Sequence, residues 1–227
     1  MDYRNFYNEL KDRALSEGMA LFAVGSLDKP RSSFHPTLAG IGARFDRAIS
    51  IGYRLPDAVV EEIKDRPTLL YASAYKTANW LLDQTAARLA TLINRAGGTA
   101  VPIPASQIVD WEQQLGHLSH KVVGREAGHG WIGKSGLLVN PVHGARVRYA
   151  TVLTDVTLPL DTPVEGGCGE CRICIEMCPA GAITEDGYDK QTCLEKLKSF
   201  RSIRGTGHYI CGVCVKACPV AAGKMES

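Results

Sequence analysis

The eight cysteines of this 227-residue chain all lie between positions 168 and 218, and their spacing limits what the chain can fold into. One run has the spacing C-x2-C-x2-C-x3-C-P and ends at Pro179. A second run has the spacing C-x2-C-x3-C-P and ends at Pro219, and a lone cysteine, Cys193, lies between the two. Such a dense set of thiols indicates a metal centre or a disulfide framework.

The first run has the spacing by which bacterial-type ferredoxins bind [4Fe–4S] clusters. In that pattern the first three thiolates bind one cluster, and the fourth, which precedes a proline, binds the other. Eight thiolates divide between two clusters of four ligands each with none left over. We therefore predict one cluster on a first thiol set and one on a second. The first thiol set is Cys168, Cys171, Cys174 and Cys218, and the second thiol set is Cys178, Cys193, Cys211 and Cys214.

Two other uses of these cysteines are less consistent with the sequence. Zinc accepts C-x2-C pairs, but it does not usually take a four-cysteine run that ends in Cys-Pro. Disulfides are disfavoured because the first residues, Met1 to Phe6, lack a basic segment, an apolar segment or a twin arginine that marks a chain for export. We therefore expect a cytoplasmic protein without a membrane span.

The hydrophobic pattern predicts an α+β domain over residues 1–160, followed by a ferredoxin-like domain with two [4Fe–4S] clusters over residues 161–227. Residues 28–43 are predicted as loop, a turn at Pro141–Gly144 is predicted to join the last two strands, and 157–167 is the predicted linker. The alternation of strands and helices favours a sheet covered on both faces. Helices are predicted over 3–17, 56–63, 68–95 and 111–127, and strands over 19–24, 47–53, 99–104, 137–139 and 147–154.

A glycine-rich segment, Gly128 to Ser135, matches the phosphate-binding pattern G-x4-G-K-[ST]. That pattern requires a buried strand before the loop and a helix after it. Here a polar helix is predicted before the segment and an apolar strand, Leu137 to Val139, after it, so nucleotide hydrolysis is not predicted. The glycines instead allow the backbone to pass close to a flat ligand, or they form a turn packed around Trp131.

Three segments together resemble the epoxyqueuosine reductases and, more remotely, the reductive dehalogenases. They are REAGHGWIGKSGLL from Arg125, TVLTD from Thr151, and the first cysteine run continued to Ile183. The resemblance implies a nitroreductase-like α/β sandwich and an oxidoreductase in which two clusters feed electrons to cobalamin. The chain has no Asp-x-His-x2-Gly element that supplies a histidine to cobalt, in agreement with base-off binding. By this resemblance the corrinoid is lined by Lys121, Gly130, Trp131, Gly133, Lys134, Ser135 and Leu138.

His117 and His120 are the candidate catalytic residues, because a separation of three on a helix places both on one face from which they can donate protons. Two solvent-exposed histidines with no such role fit the pattern equally well. The epoxyqueuosine reductases carry a proton-donating aspartate upstream of the Gly-Trp-Ile-Gly turn, and counting without gaps puts Gln114 in that place. Asp110 and Glu112 lie nearby but out of register.

Three functions are open on the sequence: a corrinoid-dependent reductase, an electron carrier that reduces a partner protein, and a flavin-binding iron–sulfur oxidoreductase. The resemblance implies an external electron donor such as ferredoxin or flavodoxin. We expect a small-molecule or protein substrate and not tRNA, since Gln114 replaces the acid. The formal charge is only +2, with 26 basic and 24 acidic residues. The sequence also stops shortly after Cys218 without a helical-repeat extension.

Overall fold

Helices and strands alternate along the chain in the computed structural model, which describes residues 2–222. The helices are α1 (Tyr3–Ser16), α2 (Pro36–Gly42), α3 (Asp57–Glu61), α4 (Leu69–Arg95), α5 (His120–Glu126), α6 (Ile173–Glu176), α7 (Lys190–Arg201) and α8 (Val213–Ala217). The strands are β1 (Leu21–Ser26), β2 (Arg47–Arg54), β3 (Ala100–Ile103), β4 (Trp131–Ile132), β5 (Leu138–Val139), β6 (Val147–Thr154), β7 (Ile183–Thr184) and β8 (Gly187–Tyr188). Short 3₁₀ helices occupy Pro30–Ser33 and Pro219–Ala222.

The larger sheet has the strand order β1-β2-β6-β3. Strand β1 runs antiparallel to β2, with Leu21 opposite Gly52, and β3 runs antiparallel to β6, with Ala100 opposite Thr154. The sequence prediction of an edge strand over 99–104 is confirmed, because β3 ends the strand order and its Pro102 has no N–H to give to a further strand.

Both faces of this sheet are covered, as the alternation of elements predicts. On one face Ile49, Ile51 and Val152 pack with buried side chains of α1 and α4. On the other face Ala48 and Leu153 pack with buried side chains of α2 and α5. Neighbouring residues of one strand thus contribute to different hydrophobic clusters, as the twofold side-chain period of a strand requires.

Helix α4 is the longest, with 27 residues. Ala78, Leu82, Leu89 and Ile93 are buried along one side of it, which matches the helical spacing in the sequence. Within residues 2–222, none of the helices combines the length and the hydropathy that a bilayer crossing requires.

The chain divides into two compact units. The first unit comprises Met1–Tyr53, Ala78–Gly130 and Arg148–Val164, and it contains most of the larger sheet. The second unit comprises Arg54–Thr77, Trp131–Val147 and Glu165–Ser227. The predicted boundary near residue 160 is close to the last division, but a single boundary does not describe the two earlier segments of the second unit. The assignment of functional domains therefore stays a prediction.

Helix α3 of the second unit is held by cations from two other segments of that unit. The buried Arg146 guanidinium pairs with Asp57 at 2.7 Å and with Glu61 at 2.5 Å. Lys216 of α8 donates to the carbonyl oxygens of Glu61 at 2.6 Å and Ile63 at 2.7 Å, which are acceptors that the end of a helix leaves unpaired. These contacts attach α8 to α3 within the second unit. Helix α8 carries Cys214 and lies between Cys211 and Cys218 in the sequence.

Three predictions of secondary structure are wrong. Residues 28–43 contain α2, whose first turn starts at Pro36, where proline is well tolerated. Residues 111–119 are not helical, because the chain turns back on itself through a bridge between Asp110 and Leu115. Strand β5 pairs with β4 and not with β6, so the turn after Asn140 does not close a hairpin between the two predicted strands.

Candidate metal centre and cofactor site

The first thiol set lines one cavity in the second unit. The cavity measures about 390 Å³, including space open to solvent, and Cys168, Cys171, Cys174 and Cys218 all border it. Burial raises the pKa of the Cys174 thiol, and the other three thiols of the set raise that pKa further. Because thiolates this close repel one another, the site favours bound cations that neutralise them.

The second thiol set also gathers in one place. Burial raises the pKa of Cys214 to about 12, and Cys211, Cys193 and Cys178 add to that shift. Burial likewise raises the pKa of Cys211 to about 11. Cys214 also borders the cavity of the first set, so the two sets adjoin. The structure thus brings the cysteines together in the second unit, and both their division into two sets of four and their ligation of iron stay predictions.

A zinc site and a cubane cluster make different demands on the four thiols of a set. Zinc binds four ligands tetrahedrally at about 2.3 Å from sulfur, which forces the sulfurs to within about 4 Å of one another. Among residues 2–222, no three His, Cys, Asp or Glu side chains converge on a point where a single ion would bind. A cubane cluster does not require such convergence, because each thiolate binds a different iron. All eight cysteines are free thiols, so the structure contains no disulfide among them.

The glycine-rich segment forms a hairpin, not a phosphate-binding loop. Trp131 of β4 pairs with Val139 of β5, and Ile132 pairs with Leu138. The amide of Gly133 donates to the Leu137 carbonyl oxygen at 2.9 Å. A strand therefore follows the turn where a P-loop needs a helix, so this segment lacks the structural context of a phosphate-binding loop.

Three of the predicted corrinoid residues border the cavity of the first thiol set: Trp131, Lys134 and Ser135. Lys134 pairs with Glu185 at 3.0 Å, and Ser135 is buried. The indole Nε1 of Trp131 is buried and has no hydrogen-bond partner among the described residues. A buried N–H without an acceptor is costly, so it fits a site completed by a bound group.

The other predicted corrinoid residues are placed differently. Gly133 approaches the first thiol set, since a Cβ built on it lies 3.1 Å from Cys168 Sγ. Leu138 is only 2% exposed and belongs to the interior of the hairpin region. Lys121 and Gly130 belong to the first unit. The structure therefore gathers four of the seven residues at or beside the cavity.

We expect Gly133→Ala to lower the iron content of anaerobically purified protein from about eight toward about four atoms per chain. The new Cβ would lie 2.8 Å from Val139 Cγ2 and 3.1 Å from Cys168 Sγ. A valine methyl can rotate away, whereas a sulfur bound to iron cannot. The matched control is Gly167→Ala, because a Cβ at Gly167 has nothing within 4 Å. Equal iron contents in the two variants would contradict this prediction.

His120 is held as a neutral imidazole. Its Nε2 donates to the Pro104 carbonyl oxygen at 3.0 Å, and its Nδ1 accepts from the Thr151 hydroxyl at 2.8 Å. Burial lowers the pKa of His120 to about 4, and the Arg148 charge lowers it further against the opposing effect of the carbonyl. At neutral pH the ring is uncharged and its proton is already donated, which argues against a role as general acid.

His117 and His120 do not share a helix face, because α5 begins at His120 and His117 precedes it. The Nδ1 of His117 lies 2.9 Å from the Thr37 hydroxyl oxygen. A third histidine, His129, is buried, and its Nε2 donates to the Ser50 carbonyl oxygen at 3.1 Å. The prediction of a shared helical face is wrong, and the catalytic role of the pair stays a prediction that these contacts disfavour.

Gln114 lies in the loop before α5 and has φ of 54°, in the left-handed region. Its Nε2 donates to the Trp111 carbonyl oxygen at 2.6 Å. In the same turn, the Asp110 carboxylate accepts hydrogen bonds from the amides of Glu112 at 2.9 Å and Gln113 at 2.8 Å. The place expected to carry the acid is therefore a loop position and not a helical one.

Sequence reasoning missed Tyr188: burial raises the pKa of its phenol, and the Cys193 thiol raises that pKa further. One signal pointed to it: Asp189, the next residue, is a typical N-cap, and Cys193 follows in the first turn of the helix that it starts.

The fold is shared with two groups of reductases. The reductive dehalogenase NpRdhA, solved with 3-bromo-4-hydroxybenzoic acid, superposes with a TM-score of 0.78 at 21% identity, over 96% of this chain and 32% of that one. An epoxyqueuosine reductase solved with an epoxyqueuosine-modified stem loop of tRNA-Tyr superposes with a TM-score of 0.66 at 19% identity, over 98% of this chain and 67% of that one.

Among curated proteins, the epoxyqueuosine reductase of Bacillus anthracis is 28% identical over 232 residues, which cover 96% of this chain and 59% of that protein. The chain thus spans less than two thirds of this relative's length. No family model matches the chain. The resemblance to epoxyqueuosine reductases and reductive dehalogenases expected from the sequence is confirmed, and the mixed α/β fold is confirmed with it.

Proposed function

We propose that this protein is an iron–sulfur oxidoreductase that holds two [4Fe–4S] clusters in a ferredoxin-like second unit. One observation supports the proposal: eight free thiols, buried to intermediate degree, lie in the second unit, and Cys168, Cys171, Cys174 and Cys218 border one cavity there. The first thiol set would hold one cluster and the second thiol set the other. A similarity to named reductases supports the reaction class.

The cofactor proposed beside the first cluster is a base-off corrinoid in a nitroreductase-like arrangement. Bound cobalamin would supply low-valent cobalt as the reductant of the substrate. In this chain Trp131 would offer an unpaired N–H, and Lys134 and Ser135 would offer donors to the amide or phosphate groups of the ligand. Gly133 keeps the hairpin backbone close to Cys168, so a side chain does not separate the cofactor turn from the first thiol set.

The partners proposed are an external electron donor, such as ferredoxin or flavodoxin, and a small-molecule or protein substrate in a cytoplasmic setting. The neutral state of His120 supports no proton transfer from that residue at neutral pH. The proton donor is therefore sought in the loop around Gln114, where no acid stands in the family's position. The relative solved with a modified tRNA stem loop makes epoxyqueuosine in tRNA the competing substrate.

The test is metal and cofactor analysis of anaerobically purified protein. We expect about eight iron and about eight sulfide per chain, and a visible spectrum that changes again when cobalamin is added. Electron paramagnetic resonance of the Co(II) form should lack nitrogen splitting from a protein histidine. Stoichiometric zinc in place of iron would refute the clusters. Tight flavin binding without cobalamin binding would replace the corrinoid by a flavin.

A further inference from the structure

We propose that an acidic one-electron carrier protein docks on an exposed surface of the second unit beside the second thiol set, and that its electrons enter the protein there. This donor-docking surface consists of Leu69, Leu70, Lys198, Arg201 and Arg204. The inference rests on the proposed function, since the electron acceptor is the cluster proposed for the second thiol set. The carrier loses one electron and that cluster gains it, so the step needs no proton and no further reactant.

Two adjacent leucines form the apolar centre of the donor-docking surface. Leu69 is 57% exposed and Leu70 is 60% exposed, although both belong to the first turn of the long helix α4. Exposed apolar side chains with a polar rim are typical of sites where proteins bind one another. Encounters between electron-transfer proteins bury less than about 1,200 Å² in total, so a small apolar centre is sufficient for one.

Two cations of α7 contribute to the rim of the donor-docking surface. Lys198 and Arg201 are both exposed, and their separation of three residues places them on the same side of that helix. The Arg201 guanidinium donates to the Tyr209 hydroxyl at 2.9 Å and lies 4.8 Å from the centre of that ring. Arginine and tyrosine are enriched among the residues that contribute most to binding at protein interfaces.

The third cation of the rim lies beside the leucines. Arg204 is exposed and directly precedes Gly205. A Cβ built on Gly205 would lie 3.1 Å from Leu69 Cδ2, so the chain that follows α7 passes against the first turn of α4. The basic rim and the apolar centre therefore meet in one place.

The donor-docking surface adjoins the second thiol set. Gly212 directly follows Cys211, and a Cβ built on Gly212 would lie 2.7 Å from Tyr71 Cε1. Tyr71 is the residue after Leu70 in α4, and α7 carries Cys193 in its first turn. The two elements that form the surface thus each contact or contain a part of the second thiol set. A carrier bound here is close to the cluster proposed for that set.

The charge along the second unit favours an acidic carrier at this position. The segment 190–216 contains six basic residues and one acidic residue, Glu195. The segment 165–189, which contains the first cysteine run, has six acidic residues and one basic residue, Arg172. A carrier with an acidic surface is attracted by residues 190–216 and repelled by residues 165–189, which directs its approach. The phosphates of a nucleic acid are also attracted by cations, but they gain nothing from two exposed leucines.

The test is the rate at which an acidic flavodoxin, reduced beforehand, reduces the clusters of the anaerobically purified full chain, followed by their visible absorbance. At low ionic strength we expect Arg204→Glu to lower the second-order rate constant about tenfold. The difference should shrink at about 0.5 M salt, because salt screens exposed charges. Leu70→Gln should lower the rate about threefold at both salt concentrations, since it removes an apolar contact and no charge.

The matched control is Arg4→Glu, which makes the same change in net charge at an exposed position of α1 in the first unit. Dithionite, a small reductant that needs no docking, should reduce the clusters of all variants at nearly the same rate. Equal flavodoxin rates in Arg204→Glu and Arg4→Glu would overturn the donor-docking surface. So would a loss with dithionite as large as the loss with flavodoxin, because the cluster and not the contact would then be altered.

Other occupants of the surface give different results. A tRNA that binds the unchanged chain and not Arg204→Glu, with unchanged flavodoxin rates, would assign the surface to nucleic acid and overturn the proposal. A dimer that Leu70→Gln dissociates in sedimentation, again with unchanged flavodoxin rates, would assign it to a second copy of the chain. Iron analysis separates these results from a failure of the proposed function. Equal rates with about eight iron atoms per chain overturn the docking alone, and a chain without iron overturns both.

Discussion

Cys193→Ser is expected to halve the iron content, from about eight to about four atoms per chain, and to abolish the signal of one cluster only. Cys193 lies outside both cysteine runs, and the other seven thiols are all assigned as ligands, so none is left to take its place. It lies with Cys178 and Cys211, and the hydroxyl of a serine is a far weaker ligand for iron than a thiolate. The measurement is iron and sulfide analysis with electron paramagnetic resonance of the reduced protein.

The mirror variant is Cys168→Ser, which should remove the other cluster and keep the one on the second thiol set. Thr192→Ser is the matched control on the same helix turn, because it changes a neighbour of Cys193 and leaves every thiol in place. Survival of both clusters in Cys193→Ser would show that the pairing of ligands is wrong. Cys214, which also borders the cavity of the first thiol set, would then be the residue to reassign.

A dense thiol site could be predicted from the sequence, because spacings of two and three residues place neighbouring sulfurs in one loop. The division into two sets is not local, since it joins Cys218 to the first run and Cys178 to the second, and it stays a prediction. The alternation of strands and helices along the chain likewise predicts a sheet covered on both faces, as the two hydrophobic clusters show.

The behaviour of His120 could not be read in this way. Its donor partner, Thr151, and its acceptor partner, Pro104, are 31 and 16 residues away in sequence, and only the folded chain brings them to the ring. A histidine that looks like a proton donor at the start of a helix is therefore a neutral, hydrogen-bonded side chain. Tertiary contacts decide its charge, and the sequence pattern does not carry them.

The prediction of a helix in the segment before α5 is wrong for a similar reason. The apolar spacing over 111–127 is compatible with a helix, but Gln114 takes a left-handed conformation and the Asp110–Leu115 bridge closes a turn. Likewise α2 was not predicted, because its segment is rich in Pro, Ser and Gly. A proline in the first turn of a helix does not interrupt it. In both segments the conformation of single residues determines the secondary structure.

The loop position of Gln114 leads to the second large effect: this protein should reduce epoxyqueuosine in tRNA slowly, and Gln114→Asp should raise that rate about 100-fold. A carboxamide cannot donate a proton as an acid does, and a positioned general acid is worth about 10² to 10⁴ in rate. Aspartate tolerates the left-handed region better than most residues, so the φ of 54° at this position accommodates the change.

The measurement is turnover of epoxyqueuosine-containing tRNA under a strong reductant with added cobalamin, compared at equal iron content. Gln113→Asp is the matched control, because it adds the same carboxylate to the same loop one residue out of register. Queuosine formed by the unchanged protein on the order of once per second or faster would show that Gln114 is no obstacle and that another group supplies the proton. Equal rates for the two aspartate variants would show that the added charge matters and its position does not. A gain confined to Gln114→Asp would place the proton donor at this loop position. The unchanged protein, which has an amide there, would then act on a small-molecule or protein substrate and not on tRNA.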